Sequence, residues 1–216
     1  PYTVPNIELL KARGLYVGLI TNGILLPRRI DDIADACPNH VNVSLNADDA
    51  EEYRRVMKVD AFSIVLNGIA TCRGAGLQTH VSFVVTRQNV QRLPAFAEVA
   101  LNAGAHWITL VNLLPTDNQS ESDSAWFWEN VLTDECEVEW ATLQRYKQEW
   151  WAKHVWVWPQ PISRKSCPSL CYTPFRTIGI DGRGFVTGCR RVEPPKADHG
   201  HFREGFYTGY WVDMRE

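Results

Sequence analysis

The feature that most constrains this chain is an alternation of short, β-branched apolar runs with longer helical stretches through its first half. The first run, Leu15–Ile20, ends at Thr21-Asn22-Gly23, a turn signal. Helical patterns follow from about Arg28 to Ala36, from Ala50 to Ala75 and from Leu93 to Ala103. They are stopped by Cys37-Pro38, Gly76 and Gly104 respectively. The other apolar runs are Val41–Leu45, His80–Val85 and Trp107–Val111, the last stopping before Pro115. The runs begin about 25 to 39 residues apart, with a helix in each gap. This is the βα rhythm of a parallel sheet with right-handed crossovers, so the expected class is α/β. Ligand sites in such sheets and barrels gather at the C-terminal strand ends. Attention therefore falls on Thr21–Gly23, Ser44–Asn46, Thr86–Asn89 and Asn112–Pro115. Four strands do not close a barrel, so the rest is expected from sequence before Pro1 or from another chain.

The second half reads differently. Residues Thr116–Ser124 are polar and loop-like, the clearest boundary in the chain. Glu135–Trp151 reads as a helix with Cys136, Trp140, Leu143 and Trp150 near one face. Seven of the nine tryptophans fall between Trp126 and Trp158, which suits a bridge that must bury a helix and a linker. Arg176–Ile180, Asp181-Gly182-Arg183-Gly184 and Phe185–Thr187 predict a β-hairpin. With a net charge of −3 there is no electrostatic footprint for nucleic acid or an anionic membrane. No apolar run approaches the ~18 residues of a membrane span.

Six cysteines divide into two groups. Cys37, Cys72 and Cys136 stand alone at apolar or helical positions and are expected to be small buried hydrophobes. Cys167, Cys171 and Cys189 flank the hairpin, whose return of the chain would allow Cys171 and Cys189 to lie side by side. Converging thiolates suit an iron–sulfur cluster; a zinc site completed by His199 or His201, or structural thiols, are the alternatives. Cys167-Pro168-Ser169-Leu170-Cys171 begins like a CxxxCxxC loop, but Pro174 occupies the third cysteine position.

The runs Gly18–Gly23 and Val41–Asn46, with Glu52-Tyr53-Arg54, resemble the third and fourth βα units of radical S-adenosylmethionine (SAM) proteins. Val84-Val85-Thr86 through Asn89, and Ile108 through Pro115, resemble their fifth and sixth. Cys167–Cys189, with Ile178, Gly182 and Val186, resembles the start of a SPASM or twitch extension, which holds auxiliary 4Fe–4S clusters. The resemblance implies a partial TIM-barrel-like (βα) barrel of the radical SAM type followed by a small α+β cysteine-containing hairpin module. Its expected divisions are residues 1–118 for barrel strands three to six, 119–160 for the Trp-rich bridge and 161–216 for the auxiliary module. The CxxxCxxC cluster loop is absent, and Asn46 stands where the family has Asp. The chain therefore reads as an internal piece, with the catalytic cluster ligands outside it.

The resemblance implies a cytoplasmic radical SAM oxidoreductase or maturase. It would generate a 5′-deoxyadenosyl radical from SAM at a 4Fe–4S cluster and abstract hydrogen from a peptide, protein or small metabolite. A donor such as flavodoxin or ferredoxin would supply the electron. It further implies that Ser44 bonds the SAM amino acid or ribose, that Arg54 meets its carboxylate, and that Thr21 and Asn22 line the ribose side. Leu113 and Leu114 would flank adenine, and Cys167, Cys171 and Cys189 would ligate an auxiliary cluster. His80 and Ser82 share strand parity. If they face the barrel interior, His80 is placed to anchor substrate or donate a proton. Two rivals stand beside this reading: a degenerate, non-catalytic binding module of the same fold, and a metal-free α/β enzyme with structural thiols.

Overall fold

The structure is a computed structural model that describes residues 3–113, 121–150, 155–157, 159, 179–180 and 186–187. Leu114, Pro115 and the three hairpin-flanking cysteines Cys167, Cys171 and Cys189 lie outside the described residues. The chain divides into two compact units, one of Pro1–Leu113 with Glu129–Ile162 and one of Leu114–Trp128 with Ser163–Glu216.

In the first unit, helix α1 (Thr3–Ala12) leads into strand β1 (Gly18–Thr21), helix α2 (Leu26–Ala36) and strand β2 (His40–Ser44). Helices α3 (Ala50–Met57) and α4 (Phe62–Gly74) then precede β3 (Thr79–Val85). A 3-10 turn (Val90–Arg92) runs into α5 (Leu93–Asn102), followed by β4 (Trp107–Asn112). Helix α6 (Glu121–Asn130) spans the division between the units, and α7 (Glu137–Trp150) and β5 (Val155–Val157) return to the first. In the second unit β6 (Gly179–Ile180) pairs antiparallel with β7 (Val186–Thr187), Ile180 opposite Val186, where the sequence places a hairpin.

The large sheet runs β1-β2-β3-β4-β5 and every pairing is parallel. Sequential order without reversal is the winding of a barrel; a doubly wound sheet would reverse at a switch point. The register fixes two faces. Val41, Val43, Val81, Phe83, Ile108 and Leu110 share one face, and all are at most 1% exposed. They pack with Leu26, Val65, Ile69, Phe96 and Ala100 of the helices into one core. His40, Asn42 and Ser44 alternate with Val41 and Val43 and turn to the opposite face.

Local chemistry sets the helix limits. Pro27 opens α2 at a position where its missing N–H costs nothing. Asp49 caps α3 by accepting from the Glu52 N–H at 2.8 Å, with Glu51 and Glu52 in the first turn facing the positive end of the dipole. The single helix expected over Ala50–Ala75 is two, because Lys58 adopts φ +58° and ends α3. Glycine is obligatory at Gly23, where φ is +83° and a Cβ would sit 2.8 Å from Val43 Cγ1. It faces Gly68 of α4, whose own Cβ would fall 2.9 Å from the Gly23 carbonyl oxygen.

Three expectations change. Cys37 is exposed: it is the left-handed residue closing α2, whereas Cys72 and Cys136 are buried. Residues from Glu121 form α6 where a polar loop is expected through Ser124. Val155–Val157 is a fifth sheet strand, Ile108 opposite Val155, where the sequence suggests only a bridge. Among the described residues no helix is long and apolar enough to cross a membrane.

Candidate functional site

The face of the sheet turned away from the helices is polar. β2 presents His40, Asn42 and Ser44; β3 presents His80 and Ser82, aligned with Asn42 and Ser44. Trp107 and Thr109 of β4 continue the rows, and Gly18 and Ile20 of β1 flank them. The Ser82 hydroxyl donates to that of Ser44 at 3.4 Å. The rings of His40 and His80 stack at 4.8 Å, with Tyr16 against His40 at 5.6 Å. This stack needs Gly18, because a Cβ there would meet the His40 ring at 2.3 Å. Buried on this face, His40 Nδ1 and Asn42 Oδ1 have no hydrogen-bond partner among the described residues. A buried acceptor left without a donor costs about 1–3 kcal/mol, and this face thus carries hydrogen-bonding capacity that the described residues do not meet.

At the C-terminal strand ends two loops are tied together. Asn46, at φ +57°, accepts from the Val84 N–H at 3.0 Å. Asn89 accepts from the Thr86 N–H at 2.8 Å and donates to the Val84 carbonyl at 2.9 Å. Arg92 reaches across to Asp48 at 2.6 Å and also pairs with Asp49.

The structure gathers some of the expected residues and disperses others. Ser44 is the last residue of β2, half-buried on the polar face beside Asn42. Asn22 is exposed at the C-terminal end of β1, its side chain accepting from the Ile24 N–H. Thr21 is not with them. It aligns with Val43 on the helix-covered face, and its hydroxyl accepts from the Gly23 N–H. Arg54 is exposed on α3 and pairs with Asp60 at 3.1 Å, while neighbouring Arg55 forks onto Glu52. Leu113 is half-buried one residue past β4.

His80 shares with Ser82 the face turned away from the helices, at the beginning of β3 and hence away from the C-terminal rim. Burial, then the neighbouring His40 and His106, push it down to about 4. It is therefore neutral near pH 7. His40 is lowered by burial as well. The unfolded chain therefore takes up a proton near pH 6.5 that folded His80 refuses until about pH 4. Stability is expected to fall as pH drops through that window and to be flat above it. The check is the thermal midpoint against pH for wild type and His80→Phe, whose ring still stacks on His40. The variant should lose part of the slope between pH 6.5 and 4, and an unchanged slope would reject the assignment.

Sequence reasoning missed His40, Asn42 and Arg92. The alternation His40-Val41-Asn42-Val43-Ser44 is the signal that marks the first two. Arg92 pairs over a separation of 44 residues, which no local pattern reveals.

Residues 2–100 match the model of the radical SAM superfamily. Among curated proteins, a GTP 3',8-cyclase of Erythrobacter litoralis is 33% identical over 123 residues, covering 53% of this chain and 37% of that protein. A probable GTP 3',8-cyclase of Saccharolobus islandicus is 35% identical over 100 residues, 46% of this chain and 32% of that protein. The chain thus spans about a third of the length of these relatives. Among solved structures, Streptococcus suis SuiB aligns with a TM-score of 0.71 at 9% identity, over 98% of this chain and 54% of that one. Native anSMEcpe with bound AdoMet and Cp18Cys peptide aligns with a TM-score of 0.62 at 14% identity, over 88% and 55%. At these identities the two structures share the fold.

Proposed function

We propose that this chain, whose residues 2–100 match the radical SAM superfamily model, is the SAM- and substrate-facing part of an enzyme acting on a purine nucleotide. SAM and a 4Fe–4S cluster are the cofactors of that family. The observation that carries the reading is the polar inner face ending at Ser44, with the unsatisfied Asn42 carbonyl beside it, inside the matched segment.

The described residues fit SAM. Asn42 Oδ1 suits an amino or hydroxyl donor, and Ser44 can accept or donate next to it. The CxxxCxxC ligands of the catalytic cluster are not in this sequence, and among the described residues no group of His, Cys, Asp or Glu is placed to hold a metal ion. Bound together, SAM and its cluster supply hydrogen-atom abstraction from the substrate. The chain's own part is positional. Ser44 and Asn42 orient the cofactor, while Ile20 and Thr109 extend the same face toward the substrate. Neutral His40 and His80 floor the interior without adding charge. Asn22 and Leu113, at the ends of β1 and β4, line the rim next to bound SAM.

The curated relatives named as GTP 3',8-cyclases favour GTP over the peptide or protein substrates that a SPASM-like extension would suggest. Flavodoxin or ferredoxin would supply the electron. Cys167, Cys171 and Cys189 would ligate an auxiliary 4Fe–4S cluster in the segment 161–216. The test uses the full-length gene product, reconstituted anaerobically with iron and sulfide. GTP should stimulate release of 5′-deoxyadenosine from SAM, and ATP should not. No stimulation by GTP would overturn the substrate assignment. In the same preparation, Cys171→Ala with Cys189→Ala should remove auxiliary-cluster absorbance while leaving SAM cleavage detectable. Persistence of the full absorbance would overturn the ligand assignment.

A further inference from the structure

On the polar face the His40 ring occupies a slot over bare backbone. The place where a Gly18 Cβ would stand lies 2.3 Å from His40 Cε1 and 2.5 Å from Nε2, so the ring fills the space of a missing β1 side chain. Tyr16 packs against it at 5.6 Å and His80 stacks on it at 4.8 Å. We propose that His40 is an acid-released pin: when its second ring nitrogen takes a proton, the ring leaves this slot and β1 is loosened from Gly18 onward.

His40 Nδ1 is buried and has no hydrogen-bond partner among the described residues. A buried N–H without an acceptor is rarer than an acceptor without a donor, so the neutral ring keeps Nδ1 bare and its proton on Nε2. A second proton has only Nδ1 to go to. It would create a buried cationic N–H with nothing among the described residues to accept from it, which is costlier than an unmet lone pair. Swinging the ring out gives that N–H to water. The titratable groups against the ring are Tyr16, ahead of β1, and His80 on β3. His80, with His106 beside it, is itself pushed down to about 4. For His40 burial is the cause of the lowering, with no charged neighbour adding to it or offsetting it.

β1 is the element that such a release would reach. It stands at the edge of the sheet and pairs with β2 alone, over Gly18–Thr21. Ile20 and Tyr16 are 62% and 71% exposed, so on the polar face the His40 ring is what holds the start of this strand. Val17 stays bonded to Asn39 in both directions, its N–H to Oδ1 at 2.8 Å and its carbonyl to the Asn39 N–H at 2.7 Å. The movement is thus confined to the strand beyond that tie. A histidine whose folded form resists its proton favours the opened form as pH falls below about 6.5, so release belongs to the acid side.

The test is amide hydrogen exchange on the chain as it stands, corrected for the intrinsic rate at each pH. Between about pH 7 and about pH 5 the β1 amides bonded to β2 should lose at least about tenfold in protection, while those of Val81–Phe83 keep theirs. His80 is still neutral at the lower pH and does not contribute. His40→Phe retains a stacking ring that takes no proton, so its β1 protection should be the same at both pH values. Gly18→Ala fills the slot and should show the loss already at about pH 7, which decides the matter where His40→Phe does not fold. No loss in wild type, an equal loss in His40→Phe, or full protection in Gly18→Ala would overturn the pin. So would nitrogen NMR that finds the proton of the neutral His40 ring on Nδ1.

Discussion

Phe83→Ala is expected to lower the stability of the sheet unit by about 3–5 kcal/mol, the range for truncating a buried aromatic. Phe83 is 1% exposed on the helix-covered face of β3, its ring 4.3 Å from that of Phe96 on α5. Phe96 is itself fully buried. Truncation removes both the transfer free energy of the ring and the tilted contact between rings, and leaves a void that fixed strands on either side cannot fill. For a chain of this size the loss corresponds to a fall of roughly 6–20 °C in the unfolding midpoint. Denaturant unfolding should show a lower midpoint at an unchanged slope. A shift under about 1 kcal/mol would mean that β3 and α5 are not packed as described.

Gly23→Ala is expected to be nearly as damaging, by about 2–5 kcal/mol, for a different reason. A left-handed backbone costs an alanine roughly 1–2 kcal/mol. The new methyl must also enter space 2.8 Å from Val43 Cγ1 and 3.0 Å from Val65 Cγ1, and overpacking of that kind costs about 1–3 kcal/mol. Neither valine can retreat, since both are fully buried. Because Gly68 approaches the Gly23 carbonyl oxygen, Gly68→Ala strains the same contact from the other side. The double variant should cost measurably less, or more, than the sum of the singles. Strict additivity in denaturant titrations would show that the two glycines are not in contact.

The contrast between what the residues announce and what they conceal has physical causes. Strands β1 to β4 are visible because buried parallel strands must be apolar and β-branched, and helices must fill the crossovers. Strand β5 escaped because three residues within a Trp-rich stretch carry too short a period to be distinguished from a linker. The break between α3 and α4 escaped because Lys58, not glycine, takes the left-handed conformation. In the site, Ser44 and His80 were legible because strand parity alone decides which side they face. Thr21 was misplaced by one position of that parity, and register with Val43 is a property of the partner strand. Arg54 stands on the helix that follows Ser44, but its guanidinium is engaged by Asp60, a choice that tertiary structure makes.

The ties among Asn46, Val84, Asn89, Arg92, Asp48 and Asp49 have a consequence for how this rim can change over time. The loop after β2 and the loop after β3 are separate in sequence but share one set of bonds. Anything resting against them meets a single wall instead of two fingers. A substitution that relaxes one loop is transmitted to the other, so the two are free to diverge only together. Tolerance for inserted residues should therefore be lower here than surface exposure alone implies. New specificity at this rim would arise more readily from residues projecting off the wall than from remodelling the wall itself.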